Sequence, residues 1–195
     1  MSAAAVFPIE IAASRREVAP LLELVRRDSD LFVHGVKVGK LAERIAIELG
    51  LTETHATRIR LAGVLHDIGK LAVPNALLTK PGPLTEAERH VIERHPAIGA
   101  ALVQLAGLPR EARWIRHHHE RMDGHGYPDR LLGFEIPLPS RIILAADAFD
   151  ALTSNRPYRS AGTGGEALTE LAAHSGSQFD PACIAALIQL IGDDY

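Results

Sequence analysis

"LTETHATRIRLAGVLHDIG", residues 51–69, is the stretch that decides the fold. Thr52 is placed to cap a helix, because its hydroxyl can accept an orphan amide of the first turn. Gly69 is the expected stop. Between them apolar residues recur at helical spacing and become nearly continuous in "RLAGVLHD" (60–67), the pattern of a helix set into a core. His66 and Asp67 close that run. A carboxylate drawn into apolar surroundings loses its water and needs a partner. The stretch predicts a buried helix whose end carries chemistry.

The flanking segments repeat the spacing. In "VHGVKVGKLAERIAIELG" (33–50), Val33, Val36, Leu41, Ile45 and Leu49 form one broad stripe and Gly50 ends the helix. "SRREVAPLLELVRR" (14–27) has the same periodicity. "AVPNALLTKPGPLTEAE" (72–88) holds three prolines and reads as a connecting loop. Thr85 and Glu88 have the spacing of a capping box and open a helix expected to run to about Leu105. "LPREARWIRHHHE" (108–120) is a helix opened by Pro109. "RMDGHGYPDRLLGFEIPLP" (121–139), broken by glycines and prolines, is a long irregular loop. "SRIILAADAFDALTS" (140–154), with Ser140 as N-cap, "TGGEALTELAAHS" (163–175) and "PACIAALIQLIG" (181–192) supply the last helices. The expected fold is all-α, a single compact helical bundle.

At 195 residues one domain is expected, with room for a small appendage. A net charge of -3 argues against gripping long nucleic acid by bulk charge, but permits a small anion held by a local basic cluster. Cys183 is the only cysteine, which excludes an internal disulfide and a cysteine-based zinc site. The N-terminus does not read as a signal peptide and no apolar run is long enough to span a membrane, so the cytoplasm is the simplest address. Phe7 and Ile9 are candidates to pack on a partner, a second copy of the chain included.

Ten histidines stand out. Five places put ligand-type residues where a plain core would not: His66 with Asp67; His34 with Asp30 one turn before it; His95 ahead of Pro96; the adjacent His118 and His119; and Asp147 inside "IILAADAF". Singly, each has an ordinary reading as a hydrogen-bonded or surface residue. The run His117–His119 is weak by itself, since neighbouring helical residues point about 100° apart. Jointly they suit divalent Mn, Fe or Zn. They exceed the needs of one ion, which suggests two or three, with Asp67 or Asp147 bridging a pair.

"LHDIGK" (65–70), "ERHPAIGA" (93–100), "HHERMDGHGYP" (118–128), "ADAFDALTSNRPYR" (146–159) and "SGSQFDP" (175–181) closely resemble, in order, the signature blocks of HD-GYP domains, a branch of the HD-domain metal-dependent phosphohydrolases. The match runs from about Asp28 to the C-terminus, leaving 28–195 as the HD-GYP domain and 1–27 as an N-terminal helical segment, the end of a sensor or linker region if the chain is a fragment and an appendage if it is a stand-alone domain. The resemblance implies hydrolysis of cyclic di-GMP to pGpG, and in some members to GMP, with water activated by two or three metal ions. Carried over by position, the ligands are His34, His66, Asp67, His95, His118, His119 and Asp147. Asp30 stands where members with a third ion carry Glu. The match on "HHE" favours His118 and His119 over His117 and His118. The resemblance makes Lys70 a phosphate contact; the candidates to protonate the leaving oxygen are Lys70 and a metal-bound water. It gives Arg156 and Arg159 the substrate phosphates, and it implies iron or manganese. Tyr127 offers a surface for substrate or partner, and GYP loops in the family are linked to GGDEF-type cyclases. The competing readings are another cyclic dinucleotide as substrate, or a catalytically weak domain used for docking.

Overall fold

The computed structural model describes residues 15–154 and 161–192. Among the described residues ten α-helices follow one another: α1 Arg15–Arg26, α2 Ser29–Glu48, α3 Glu53–Leu65, α4 Asn75–Leu78, α5 Glu86–Ile92, α6 His95–Leu105, α7 Pro109–Arg116, α8 Leu138–Thr153, α9 Gly164–Ala173 and α10 Pro181–Gly192. Among the described residues there is no strand, only two isolated bridges, Asp123 with Leu132 and Ser175 with Phe179. The fold is the all-α bundle that the periodicity predicts.

α2 packs along α3 and α8, and α6 along α7. One core joins them, built around Ile45, Ile59, Leu65, Ile115, Ile142 and Leu187. Val18, Leu21, Leu22 and Val25 of α1 are buried in that same core. Thr52 caps α3 by accepting from the His55 amide, and Gly50 follows α2 with φ +80°, a conformation glycine adopts without strain. No helix of the described residues is long and apolar enough to cross a membrane.

Several boundaries differ from the sequence reading, and the differences build the site. α2 buries Gly35, Val38, Gly39, Ala42, Ile45 and Ala46, whereas Val33 is exposed. Small residues let α2 approach α3 closely, so the larger side chains flank the contact. α3 ends at Leu65, and the chain turns through a 3-10 segment, Ile68–Ala72. Gly69 is therefore not the helix stop. It lies against α6, where a Cβ would come within 2.0 Å of the His95 carbonyl oxygen.

The helix expected from Thr85 to Leu105 is two helices, parted at Glu93 and Arg94. Pro96 has no amide to give the Ile92 carbonyl, so the α5 ladder stops there. α7 ends at Arg116, so His117–His119 lie in a turn rather than on a helix. The 100° splay of helical neighbours does not apply to them. α8 starts at Leu138, ahead of Ser140. Ser140 is not the cap: its buried hydroxyl donates to the Trp114 carbonyl (2.8 Å) and ties α8 to α7. Part of the loop expected after α3 is helical, as α4.

Candidate metal centre

Three helix C-termini meet at one place. His66 is the C-cap of α3, His95 lies three residues beyond the end of α5, and His118 two beyond the end of α7. The last carbonyls of a helix have no partner within it. Each of these rings takes one. His66 Nδ1 lies 2.7 Å from the Gly63 oxygen, His95 Nδ1 2.7 Å from the Ile92 oxygen, and His118 Nδ1 2.6 Å from the Ile115 oxygen. A carbonyl only accepts, so Nδ1 carries a proton in all three rings, and whenever the ring is neutral Nε2 presents a lone pair. Breaking the helix at Pro96 thus frees the carbonyl that orients His95.

The three Nε2 atoms point inward. They are buried and have no hydrogen-bond partner among the described residues, and neither has Asp67 Oδ1. His95 Nε2 lies 3.0 Å from Asp67 Oδ1, but both are acceptors once Nδ1 holds the imidazole proton, so the contact is repulsive. Buried acceptors of this kind cost about 1–3 kcal/mol each when left unsatisfied. Helix C-termini also carry partial negative charge. This set of donors fits a cation.

The ligand atoms fall into two groups that share Asp67. Asp67, His95, His118 and His119 form one, and His34, His66 and Asp67 the other. In each group the atoms lie within 4.8 Å of one another. Asp67 Oδ1 faces His95 (3.0 Å) and His118 (3.9 Å), while Oδ2 faces His66 (3.3 Å) and His34 (3.8 Å). Asp147 Oδ1 joins the second group, 3.1 Å from His34 Nε2 and 3.9 Å from His66 Nε2.

Burial pushes His119 down to about 3 and drives His118 the same way, with neighbouring imidazoles adding to it, so both are neutral. Burial would raise Asp67 and Asp147. His66 and Lys70 around Asp67, and the His34 hydrogen bond to Asp147, hold both well below the usual carboxylate range. Burial also acts to lower His34, but hydrogen bonds to Asp147 and Asp150 prevail and lift it to about 9. The neutral imidazoles of His118 and His119 and the ionised carboxylates are the forms that ligate a metal, whereas His34 must give up its proton to an incoming cation.

Lys70 Nζ sits 2.5 Å from Asp67 Oδ2 at the edge of the cluster. Asp30 is exposed and belongs to neither ligand group. It lines an open groove of about 510 Å³ together with His34, Asp67, Lys70 and Asn75. Arg156, Arg159, Phe7 and Ile9 lie outside the described residues.

Beyond the cluster the chain folds back as a clasped loop. Gly126 lies so close to the turn that a Cβ would meet the Glu120 Cα at 2.4 Å and the His119 oxygen at 2.6 Å, so only glycine fits. The Tyr127 ring stacks on His119, with centroids 4.7 Å apart. Burial raises the Tyr127 phenol above its ordinary range, with Asp67 adding to it, so it stays protonated. Buried Glu120 accepts from the amides of Asp129 (2.6 Å) and Leu131 (3.1 Å). Asp129 in turn takes Arg116 in a two-pronged pair and lies 2.9 Å from His117 Nε2. His117 therefore faces the loop, not the ligand groups.

Residues 9–183 match the family model described as "HD domain". The chain belongs to the HD-domain family. Its Gly126-Tyr127-Pro128 loop sets it in the HD-GYP branch. This HD domain is 44% identical over 181 residues to the cyclic di-GMP phosphodiesterase response regulator RpfG of Xanthomonas campestris, covering 89% of the chain and 48% of that protein. It is 40% identical over 166 residues to the 3'3'-cGAMP-specific phosphodiesterase 3 of Vibrio cholerae, covering 83% of the chain and 36% of that protein. The chain thus spans half or less of the length of these relatives. Among solved structures, Bd1817, a HDG"Y"P protein of Bdellovibrio bacteriovorus, superposes with a TM-score of 0.69 at 23% identity, over 83% of this chain and 52% of that one. At that identity the likeness speaks for the fold.

Sequence reasoning missed two carboxylates in this HD domain. Asp150 lies 2.7 Å from His34 Nδ1, and Asp129 anchors the loop. Asp150 was within reach, because it stands one helical turn after Asp147 and shares its face. Asp129 carried no such signal, since its partners depend on how the loop folds back.

Proposed function

We propose that this chain is a metal-dependent phosphodiesterase that hydrolyses cyclic di-GMP to pGpG. The observation that carries the reading is the pair of ligand groups sharing Asp67, with four buried acceptor atoms turned toward them. Two divalent ions, iron or manganese, would be held by His34, His66, Asp67 and Asp147 on one side and by Asp67, His95, His118 and His119 on the other. Asp30 is the further ligand if a third ion is taken. Such ions lower the pKa of water and draw charge from a phosphoryl group.

The protein's own part is positional. Asp67, with one oxygen toward each group, sets their separation. The backbone carbonyls that lock His66, His95 and His118 fix their lone pairs before any ligand arrives, so little reorganisation is needed. Lys70, about a third exposed with a side-chain value of 31%, faces the groove and neutralises a phosphate oxygen there. It is also the residue best placed to return a proton to the leaving 3' oxygen. Arg156 and Arg159 grip the second phosphate, since a guanidinium can bind one with two parallel hydrogen bonds. Tyr127 holds His119 and presents its ring edge to substrate.

A second reading has specific support, because relatives of comparable identity are named 3'3'-cGAMP-specific. The Mn²⁺-loaded chain should be offered cyclic di-GMP and 3'3'-cGAMP side by side, with nucleotide products separated by chromatography. Preferential conversion of cyclic di-GMP to pGpG is expected. Intact cyclic di-GMP beside cleaved 3'3'-cGAMP would replace the substrate, and no cleavage of either would remove the enzymatic reading. Docking of a GGDEF-type protein is a separate use of the loop, favoured by Leu132 and Phe134, which are 59% and 81% exposed at its end. Phe134→Ser should then abolish co-purification with such a protein.

A further inference from the structure

We infer that Asp150 is a positioning residue that sets the tautomer of His34, within a relay that ends at Lys37 and Ser154. The inference rests on the metal-dependent reading above. His34 comes from α2 and is gripped from both sides by α8. Asp147 Oδ1 lies 3.1 Å from its Nε2, and Asp150 Oδ2 lies 2.7 Å from its Nδ1. The two carboxylates stand one helical turn apart and so present the same face.

The other three oriented histidines hand their Nδ1 proton to backbone carbonyls. His34 lies inside the twenty-residue helix α2, where no orphan carbonyl is at hand. A side chain from the neighbouring helix performs the task instead. A carboxylate differs from a carbonyl in carrying full charge, which makes the opposite ring nitrogen a stronger donor to a cation.

The second oxygen of Asp150 is fixed as well. Ser154 Oγ donates to Oδ1 at 3.2 Å, and Lys37 Nζ lies 3.7 Å from it. Lys37 Nζ also donates to Ser154 Oγ at 3.2 Å, which leaves the serine proton for Asp150. Donors therefore surround Oδ1, while Oδ2 alone faces the imidazole. This asymmetry makes a prediction that a merely structural contact does not.

In Asp150→Asn the amide oxygen must take the Oδ1 place, opposite the Ser154 and Lys37 donors. The amide NH2 then faces His34 Nδ1 and donates to it. The imidazole proton moves to Nε2, and the lone pair toward the ligand group is lost. Asp150→Ala removes the charge but leaves either tautomer open. The isosteric variant should thus be the worse of the two.

The test is Mn²⁺ affinity of the full chain, read from free Mn²⁺ by electron paramagnetic resonance, for wild type, Asp150→Ala and Asp150→Asn. Asp150→Ala should weaken the affected site about 10- to 100-fold, the range found when partners of metal-bound histidines are removed. Asp150→Asn should weaken it at least as much, with helix content unchanged by circular dichroism. Affinity in Asp150→Asn at the wild-type level, or between wild type and Asp150→Ala, overturns the inference. Unchanged affinity in both variants does so too. If the wild-type chain itself takes up no Mn²⁺, the metal reading fails and this inference with it. Binding by wild type with no loss in the variants removes only the role of Asp150.

Discussion

In the loop after the cluster, the carboxylates meet their donors inside the protein. Glu120 takes two backbone amides, Asp129 takes Arg116, and Asp123 takes Arg121 and the His125 amide. In the neighbouring cluster, the same kinds of residue behave oppositely. Nε2 of His66, His95 and His118 and Asp67 Oδ1 are buried and unpartnered among the described residues. Burying polar groups is tolerated when they are hydrogen-bonded and costly when they are not. The loop is therefore a finished structure, whereas the cluster is half of an interaction. Residue type alone does not separate metal ligand from scaffold, and one unpartnered atom does not either, since His117 Nδ1 is buried without a hydrogen-bond partner among the described residues; the gathering of several such atoms around Asp67 does.

The sharpest way to break this contrast is Asp67→Ala. It removes the one residue common to both ligand groups, and turnover should fall about 10³-fold or more, beyond the loss of a single transition-state donor. Helix content should persist. Retained turnover would make Asp67 a structural residue like Glu120. The reverse substitution tests the other side. Glu120→Ala strips the acceptor from two amides and should lower stability by about 2–3 kcal/mol, read from urea unfolding. Its Mn²⁺ affinity should change far less than that of Asp67→Ala. Equal losses of affinity would dissolve the distinction.

Tyr127 sits on the boundary between the two regions. Its ring contacts a ligand histidine, so Tyr127→Ala should weaken Mn²⁺ binding about fivefold, as expected for an aromatic pair worth ~1 kcal/mol. Tyr127→Phe keeps the ring and should bind like wild type. A large loss in Tyr127→Phe would instead assign the work to the hydroxyl.

The smallest effect is expected at a half-buried surface pair outside both regions. Its hydrogen bond to Lys80, helped by the Thr85 amide, lowers Glu88 from 4.5 to about 2. A depressed folded-state pKa stabilises the fold above the unfolded value, and that stability is lost as pH falls from about 4.5 toward 2. Lys80→Ala should lower stability slightly near neutrality, where the contribution is fully present, and leave it unchanged below about pH 2, so that the profile flattens between. Because Glu88 and Lys80 lie at the surface, partly open to solvent, the change is expected to be the least of these.

The helices were legible because their apolar spacing and caps are local. Thr52, Thr85 with Glu88, and Pro109 open helices where the sequence predicts. The errors at Gly69, His117 and Ser140 are tertiary in origin, whereas the break ahead of Pro96 is local, a missing amide that the sequence already held. Gly69 answers to the His95 carbonyl, and Ser140 to the Trp114 carbonyl. Spacing also could not say how His118 and His119 both reach the cluster, since that follows from α7 ending at Arg116. The resemblance to HD-GYP domains named the ligand candidates without the tautomers. The Nδ1 contacts at Gly63, Ile92 and Ile115 come only from the fold. Arg156 and Arg159 lie outside the described residues, so their part in holding phosphate stays with the proposal.

The central claim is that the ligand groups around Asp67 hold two ions that turnover requires. Equilibrium dialysis of chelator-treated protein against Mn²⁺, with cyclic di-GMP cleavage assayed on the same samples, tests it most directly. Two Mn²⁺ per chain, with cleavage appearing only as the sites fill, is the expected result. Cleavage at full rate in chelated protein, or filled sites with cyclic di-GMP left intact, would contradict it.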